Sequence, residues 1–480
     1  MHPIIVWLRR DLRVGDNTAL VRAAATGAPV VPLFIVDADI VRKIPSDGAA
    51  FDFQGECLKD LSGSLESLGG RLIIRQGHVL DVHRRLLQEA HPAALYFHRD
   101  YEPAGLDRDA AVMKLYEQHD VEVETFKDIV LQEPTEVLSA KGDPFAVFTP
   151  YARVWKTLPP PSPPGMPVRF TTPPLTSEPI PDAATLKKRK LIPSPAFRGG
   201  ETEALRTWQV FLDHRLETYA EKRDLPAAGG TSRLSPYLRF GCIAISRIIE
   251  DSRNRAAALP PPARAGSEKF IDELIWREFY QAVLFHHPRL LTSNYRQEFD
   301  RLPWHYDDRL FAAWKEGRTG FPLVDAGMRE LSQTGWMHNR VRMVVASFLT
   351  KDLQHDWRLG EKYFEEKLMD IETASNNGGW QWSASTGVDP RPLRIFNPTL
   401  QAKRFDPEAT YIRLWVPELD RVPARFIHAP WRMPPAEQQK SGCIIGRDYP
   451  EPIVDHATAA EGYKKTFGAV KLAAKVVSDR

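Results

Sequence analysis

The sequence predicts an α/β domain built on a doubly wound parallel sheet, followed by a long linker and a mostly helical domain. Three observations predict this class. Short apolar runs alternate with segments of helical length in the first part of the chain, prolines then become frequent, and beyond residue 201 almost every apolar pattern has helical spacing. Strands that alternate with helices are typical of a parallel sheet covered by helices.

Five short, apolar and partly β-branched runs are predicted to be buried parallel strands. They occupy residues 4–8, 30–36, 71–75, 94–98 and 121–126, and residues 51–68 and 106–119 between them have the pattern of helices. The turn after the first strand contains no GxGxxG, and no Walker-type glycine loop follows a later strand. These absences argue against a dinucleotide or nucleoside-triphosphate site of the usual kind.

The linker is placed at residues 131–198, between an α/β domain at 1–130 and a helical domain at 199–480. Residues 159–164 are all proline except Ser162, which favours an extended connector. In the helical domain, helices are predicted at residues 203–219, 268–285, 323–333, 338–354 and 362–369.

The chain has 480 residues, which is too long for one hydrophobic core, and a net charge of only +2. Affinity for phosphate would therefore need a local basic patch. Its three cysteines form no CxxC, which argues against disulfides and a metal site. Because no signal peptide and no apolar run of membrane-spanning length is found, we expect a cytoplasmic protein.

One predicted helix carries a mixed polar and aromatic face. Glu273, Trp276, Arg277 and Tyr280 have the spacing i, i+3, i+4 and i+7, so they share one side of the helix. Such a face could line a pocket that stacks a flat ligand and binds its polar edge. An ion pair edged by aromatic rings at a helix contact is the alternative.

Two other segments offer groups that bind phosphate. Residues 230–235, Gly-Thr-Ser-Arg-Leu-Ser, are rich in hydroxyl and backbone donors, but the same residues could cap the next helix. Asn339 and Met343 share one helical face, whereas Arg340 and Arg342 point to different sides. A solvated surface arginine is the alternative for Arg340.

Residues 376–382, Asn-Asn-Gly-Gly-Trp-Gln-Trp, combine two indole rings, two glycines and three carboxamides. A buried aromatic corner would explain the tryptophans alone, because tryptophan is heavily buried on average. The combination with amide groups and glycines favours a site where the backbone passes close to a flat ligand.

Five motifs in this order resemble the photolyase/cryptochrome flavoproteins, and above all the bacterial enzymes that repair cyclobutane pyrimidine dimers. The motifs lie at residues 231–235, 273–280, 336–343, 370–382 and 394–398, and the resemblance covers nearly the whole chain. It implies an N-terminal domain of the antenna-binding type, a C-terminal domain that holds FAD, and light-driven repair of a flipped-out dimer. The expected partner is DNA that contains pyrimidine dimers, and the expected state is a monomer.

The resemblance also implies roles for individual residues. The expected FAD contacts are Tyr219, Thr231, Ser232, Arg233, Leu234, Ser235, Arg342, Asp370, Glu372 and Asn376, with Arg342 and Asp370 as an ion pair. The expected contacts to the dimer and to DNA are Arg223, Glu273, Trp276, Arg277, Asn339, Arg340, Met343, Trp382 and Gln401, with Lys222 and Lys403 on the same rim. Trp380, Trp357 and Trp304 match the family's electron-transfer chain, and Glu273 and Asn376 complete the catalytic set.

A few positions distinguish members of this family. Enzymes that repair (6-4) photoproducts typically have histidine in place of Asn339, and plant cryptochromes typically have aspartate in place of Asn376. Both residues therefore favour repair of cyclobutane dimers over (6-4) repair and over a photoreceptor, which remain the alternatives. Glu372 departs from the aspartate of the common bacterial enzymes, which indicates a less common branch.

The resemblance also implies a second, light-harvesting chromophore. Glu102 is the candidate contact for it. Methenyltetrahydrofolate is favoured, and a deazaflavin or FMN are the alternatives.

Overall fold

A computed structural model describes residues 1–38, 49–181, 197–388 and 393–478. The chain forms two compact units. The first contains Met1–Ala220, Ser232–Pro288 and Met369–Ala374, and the second contains Glu221–Thr231, Arg289–Leu368 and Ser375–Arg480. The helical part of the chain thus contributes to both units, so these units differ from the predicted division at residues 130 and 198.

The first unit is built on a five-stranded parallel sheet. Its strands are β1 Ile4–Leu8, β2 Val30–Asp37, β3 Ile73–Gly77, β4 Ala94–His98 and β5 Glu122–Phe126. The strand order is β3-β2-β1-β4-β5, so the chain builds outwards from β1 first on one side and then on the other. This is the doubly wound topology that the alternating pattern predicts, and the predicted fold class is confirmed.

The helices and strands of the first unit enclose a core of large apolar side chains. Trp7, Leu33 and Phe97 are each at most 2% exposed and belong to one cluster. The helices of the first unit are α1 Thr18–Ala25, α2 Ala49–Ser67, α3 Val79–Ala90, α4 Pro103–Glu117, α5 Phe148–Trp155, α6 Glu201–His214, α8 Ser235–Phe240, α9 Ile245–Ala257 and α10 Pro261–His286, while α7 Tyr219–Lys222 crosses the division between the units.

The second unit consists of helices and short 3-10 turns in the part that the structure describes. Its helices are α11 Asp308–Lys315, α12 Pro322–Thr334, α13 Asn339–Ser347, α14 Trp357–Lys367, α16 Pro398–Phe405, α17 Thr410–Trp415, α18 Ala424–Ile427, α19 Pro435–Ser441 and α20 His456–Ser478. Helix α15 Thr373–Ala384 begins in the first unit and continues in the second. No helix of the described residues is long and apolar enough to cross a membrane.

For two of the predicted elements, the difference from the observed bounds has an identifiable cause. Strand β3 starts at Ile73 and not at residue 71, because the Arg71 amide donates to the Thr172 hydroxyl at 2.9 Å. The helix predicted at 338–354 is α-helical only over Asn339–Ser347 and ends in a π-helical turn, Phe348–Asp352. In that turn the Thr350 hydroxyl donates to the Ala346 carbonyl at 2.8 Å, a bond that competes with regular helix geometry.

The predicted linker is only partly an extended connector. Helix α5 lies within it, and the Trp155 indole donates to the buried Glu278 carboxylate. Further on, the Thr171 carbonyl accepts from the Val30 amide at 2.8 Å, so this part of the linker runs beside the sheet. Residues 182–196 of the linker lie outside the described residues.

Candidate functional site

Helix α15 carries the two consecutive carboxamides of the Trp-rich motif. Asn376 Nδ2 donates to the Glu361 carbonyl at 3.0 Å, and Asn377 Nδ2 donates to the Glu361 carboxyl group at 2.9 Å. Asn377 Oδ1 in turn accepts from Gln381 Nε2 at 2.9 Å. Asn376 Oδ1 accepts no hydrogen bond from the described residues, so this acceptor is available to a ligand.

The two tryptophans of α15 have different environments. Trp380 is 2% exposed, and its ring meets Trp314 and Phe364 edge-on at centroid distances of 6.2 and 5.0 Å. Its indole nitrogen is buried without a hydrogen-bond partner among the described residues. Trp382 is half-buried, with the Arg394 guanidinium 5.3 Å from its ring centre. The helix therefore has one tryptophan in the core and one nearer the surface.

The other two members of the predicted electron-transfer chain also lie in the second unit. Trp357 is fully buried, and its indole donates to Asn294 Oδ1 at 2.9 Å. Trp304 is partly buried against a cluster that contains Phe299, Tyr463 and Phe467. Trp380 and Trp357 are thus buried and Trp304 is partly exposed, and their role as an electron-transfer chain stays a prediction.

Helix α13 begins at Asn339 after His338, whose Nδ1 accepts from the Arg340 amide at 3.1 Å. Asn339 is exposed, and its Nδ2 lies 4.0 Å from the Met343 sulfur, which places both side chains on one face as predicted. Arg340 pairs with Asp224 at 2.8 Å and lies 4.3 Å from the Phe405 ring centre. Arg340 is therefore not the solvated surface arginine of the alternative interpretation.

The remaining rim residues of the second unit have mixed exposure. Lys222 and Lys403 are exposed, whereas Arg223 is only 14% exposed and lies 3.7 Å from Asp224. The Gln401 side-chain oxygen is buried without a partner among the described residues. Arg342 donates from Nε to the Met337 carbonyl at 2.8 Å.

In the first unit, helix α10 presents the predicted mixed face. Glu273, Trp276, Arg277 and Tyr280 are all half-buried, whereas Leu274, Ile275, Glu278 and Phe279 are buried. Trp276 stacks on Phe148 with 3.9 Å between ring centres and 5° between planes, so one of its faces is covered by protein. Lys269 pairs with Glu273 at 3.0 Å. This part of the sequence prediction describes the helix face correctly.

Arg277 and Glu372 have a different environment from the predicted DNA and FAD contacts. Arg277 donates from Nε and Nη2 to the two oxygens of Glu372, at 2.6 and 2.5 Å, and Arg10 forms a further ion pair with the same carboxylate. Burial alone would raise the pKa of Glu372, but Arg277 and Arg10 outweigh burial and lower it to about 2. The two residues thus form a buried ion pair within the first unit, and the DNA contact of Arg277 and the FAD contact of Glu372 stay predictions.

Glu102, the predicted antenna contact, also belongs to this ion network. One of its carboxylate oxygens accepts from Arg10 at 3.3 Å and the other accepts from the Thr373 hydroxyl at 2.8 Å. Both oxygens therefore already have protein partners, and the antenna assignment of Glu102 receives no support from this geometry. Through these contacts, Glu102 and Glu372 connect the Met369–Ala374 segment to the rest of the first unit.

The hydroxyl-rich run before α8 does not form the side-chain cap of the alternative interpretation. Leu234 occupies the N-cap and no side chain caps the helix, while Ser232 Oγ accepts from the Leu234 amide at 3.3 Å. Arg233 has a left-handed backbone, with φ of 56°, and Ser235 is exposed. Tyr219 is buried against Phe211 and Phe270. Hydroxyl groups and backbone amides at the start of a helix are groups that can bind phosphate oxygens.

Sequence patterns gave no indication of some important groups. Glu361 lies one residue before the predicted helix at 362–369, and its pairing with Asn377 joins two segments that are distant in sequence. Trp314 is fully buried beside Trp380, and Glu278 holds the start of the linker by accepting from the Leu131 amide at 2.6 Å. Only the tertiary fold brings these partners together.

Two family models match the chain. The model described as DNA photolyase matches residues 4–167, and the model described as FAD binding domain of DNA photolyase matches residues 270–469. The chain therefore belongs to the DNA photolyase family, as the sequence motifs predict.

Individual relatives place the chain within this family. It is 39% identical to the deoxyribodipyrimidine photo-lyase of a Synechococcus strain, over 98% of this chain and 97% of that protein. The crystal structure of a bacterial class III photolyase from Agrobacterium tumefaciens is 38% identical, with a TM-score of 0.91 over 98% of both chains. The cryptochrome of a Synechocystis strain is 30% identical, with a TM-score of 0.88 over 97% of this chain and 99% of that one.

Proposed function

We propose that this protein repairs cyclobutane pyrimidine dimers in DNA by light-driven electron transfer from reduced FAD to a flipped-out dimer. The observation that carries this function is the near-complete similarity to deoxyribodipyrimidine photo-lyases, 39% identical over 98% of the chain. The chain carries the family's FAD-binding domain. When bound, reduced and excited FAD supplies the electron. The protein binds the cofactor and the dimer, orients them and tunes the reactivity of the cofactor.

The residues of helix α15 fit a flavin ring. Asn376 Oδ1 is an available acceptor, and a methyl group added at Gly379, one turn further along, would meet no atom within 4 Å. Among the groups of the second unit, we propose that Asn376 accepts a hydrogen bond from the flavin and that Arg342 contacts the cofactor. Among those of the first unit, we propose that Ser232, Ser235 and the neighbouring backbone amides bind phosphate oxygens and that Asp370 is a further FAD contact.

Dimer recognition is proposed for flat and polar side chains on each unit. On the first unit, Phe148 stacks on one ring face of the half-buried Trp276, whose indole is proposed to stack on a base, and Glu273 offers a carboxylate to the polar edge of a base. On the second unit, Asn339, Met343 and Trp382 supply an amide, a thioether and an indole. Contacts with the phosphates of the DNA backbone are proposed for Lys222, Arg223, Arg340, Gln401 and Lys403. Arg277 is not included in this set.

The test is a repair assay on an oligonucleotide with one thymine dimer, incubated with purified protein in blue light and in darkness. Restoration of thymines in light alone is the expected result. Trp276→Ala should weaken repair and dimer affinity at least tenfold and leave FAD bound, whereas Trp431→Phe, a conservative change remote in sequence from the dimer motifs, should leave repair unchanged. Absence of light-dependent repair would exclude this function. Repair of a (6-4) photoproduct in its place would favour the other enzyme class.

A photoreceptor function is the second candidate, because the Synechocystis cryptochrome is 30% identical over nearly the whole chain. It would be favoured if the protein binds FAD and responds to blue light but repairs neither lesion.

We further propose a light-harvesting chromophore, with methenyltetrahydrofolate favoured over a deazaflavin or FMN. A solved archaeal photolyase from Sulfolobus tokodaii, 34% identical, is described as having two FAD molecules, with the implication of a novel light-harvesting cofactor. Since both carboxylate oxygens of Glu102 already have protein partners, the residues that contact the chromophore are left unassigned. Extraction of the purified protein and chromatography of the released pigments would identify the chromophore, and release of FAD alone in a single equivalent would contradict this proposal.

A further inference from the structure

Glu361 on helix α14 contacts both carboxamides of the candidate site through different groups. Its backbone carbonyl accepts from Asn376 Nδ2 at 3.0 Å, and its carboxyl group accepts from Asn377 Nδ2 at 2.9 Å. Asn377 Nδ2 also donates to the Leu290 carbonyl at 2.9 Å, and Gln381 connects Asn377 to the Tyr295 amide at 2.8 Å. The Glu361 side chain is thus at one end of a series of hydrogen-bonded amide groups along α15.

The environment of this carboxyl group favours its neutral form. Burial raises the pKa of Glu361 to about 7, and the negative charges of Glu365 and Asp356 add to this rise. The Asn377 hydrogen bond and the Arg358 guanidinium oppose it. Arg358 itself is engaged by Asp356 at 3.2 Å, so within the described part of the chain no cation forms an ion pair with Glu361 as Arg277 does with Glu372.

We propose that Glu361 is a positioning residue of the flavin site: its neutral carboxyl group holds Asn377, and thereby keeps the adjacent Asn376 oriented with Oδ1 available to the cofactor. This inference rests on the proposed FAD-binding function. Deprotonation would place a negative charge beside the same amides. Reduced flavin is anionic, so its affinity for the protein should fall when Glu361 is charged.

The first test uses the protein without FAD. Infrared difference spectra, recorded between about pH 5 and about pH 9, should show a protonated carboxyl band that disappears with a midpoint near neutrality. Glu361→Gln should remove the Glu361 component of this band, because glutamine keeps the size and the acceptor but cannot titrate, while the component of Glu278, whose pKa burial also raises to about 7, should remain. The matched control is Glu365→Gln, at an exposed glutamate one turn further along α14, and it should retain the Glu361 component with a midpoint at lower pH, because the Glu365 charge adds to the rise in the pKa of Glu361. A band of equal amplitude in the wild-type protein and in Glu361→Gln would overturn the proposal.

The second test measures binding of reduced FAD over the same pH range. The wild-type protein and Glu365→Gln should lose about tenfold in affinity across the titration of Glu361, whereas Glu361→Gln should bind with little dependence on pH. An equal loss in Glu361→Gln would overturn the proposal. If no variant binds FAD at any pH, the proposed function fails, while the infrared test still decides the state of Glu361.

Discussion

At the residue scale, three buried or half-buried glutamates differ in the charge of their partners. Glu372 binds two arginines, whereas Glu278 accepts from the Leu131 and Gln132 amides and the Trp155 indole, and Glu361 accepts from an amide side chain. Burial raises the pKa of Glu278 and of Glu361 to about 7, since neutral donors compensate less than a cation does. The identity of the partner therefore decides which carboxyl groups are charged at neutral pH.

The first residue-scale prediction concerns the Arg10–Glu372–Arg277 ion network. Glu372→Gln removes the carboxylate that Arg277 binds and one of the carboxylates that Arg10 binds, and we expect a loss of about 3–5 kcal/mol in the free energy of unfolding. Glu203→Gln removes an ion pair with the largely exposed Arg206, so it should cost at most about 1 kcal/mol. Chemical denaturation of both variants measures the difference. Equal losses would mean that the buried pair contributes no more than a surface pair.

At the element scale, helices α14 and α15 pack so closely that one position must be glycine. A Cβ added at Gly360 would lie 2.1 Å from Cη2 and 2.4 Å from Cζ3 of Trp380, and 2.7 Å from Leu349 Cδ2. Trp380 is held on its other sides by Trp314 and Phe364, so it has little room to move. The close approach fixes the position of the indole that the proposed electron transfer uses.

We therefore expect Gly360→Ala to destabilise the protein by about 1–3 kcal/mol through overpacking. Gly63→Ala in helix α2 is the matched control, because an added Cβ there meets no atom within 4 Å. That control should be neutral or stabilising by up to about 1 kcal/mol, since alanine has the higher helix propensity. Thermal unfolding of both variants tests this. Similar melting temperatures for Gly360→Ala and the wild type would show that Trp380 can move aside.

The tryptophan path gives a second prediction at this scale. Trp357→Phe replaces a buried, oxidisable indole, and we expect photoreduction of oxidised FAD to slow at least tenfold while repair by chemically reduced enzyme is retained. Trp314→Phe is the control, since Trp314 is equally buried and contacts Trp380 but lies outside the proposed path. Absorbance of the flavin during illumination provides the measurement. If Trp314→Phe slows photoreduction and Trp357→Phe does not, the electron passes through Trp314 and the proposed path is wrong.

At the scale of the whole molecule, two sets of carboxyl groups set the pH dependence of stability in opposite directions. The pKa of Glu372 is lowered to about 2, so its stabilisation is present above its unfolded value near 4.5 and is lost as the pH falls towards 2. The pKa values of Glu278 and Glu361 are raised to about 7, so the folded protein binds more protons than the unfolded chain between about pH 4.5 and about pH 7.

The free energy of unfolding should consequently fall as the pH rises through that upper window. Each of the two groups contributes at most about 1.4 kcal/mol per pH unit. Glu361→Gln should make this fall shallower, because a glutamine does not titrate. Denaturant titrations at several pH values give the slope. An unchanged slope in the variant would indicate that Glu361 is already ionised at acid pH in the folded protein.

Much of the architecture follows from local patterns. Runs of apolar residues gave all five strands, two of them, Ile4–Leu8 and Ala94–His98, with the observed bounds. The spacing of Glu273, Trp276, Arg277 and Tyr280 gave one half-buried face of α10, and Asn339 and Met343 do share a face. Helical and strand periodicities are local properties, so a single chain reveals them without knowledge of its partners.

The sequence by itself determined the fold class, the family and which helix faces carry polar and aromatic groups. Only the tertiary structure decided that Arg277 is engaged by Glu372, that Glu102 is bound by Arg10 and Thr373, and that Glu361 holds Asn377. The physical reason is the range of the interactions. Periodicity acts between neighbours along the chain, whereas the charge state and availability of a buried group depend on partners that folding brings from distant segments.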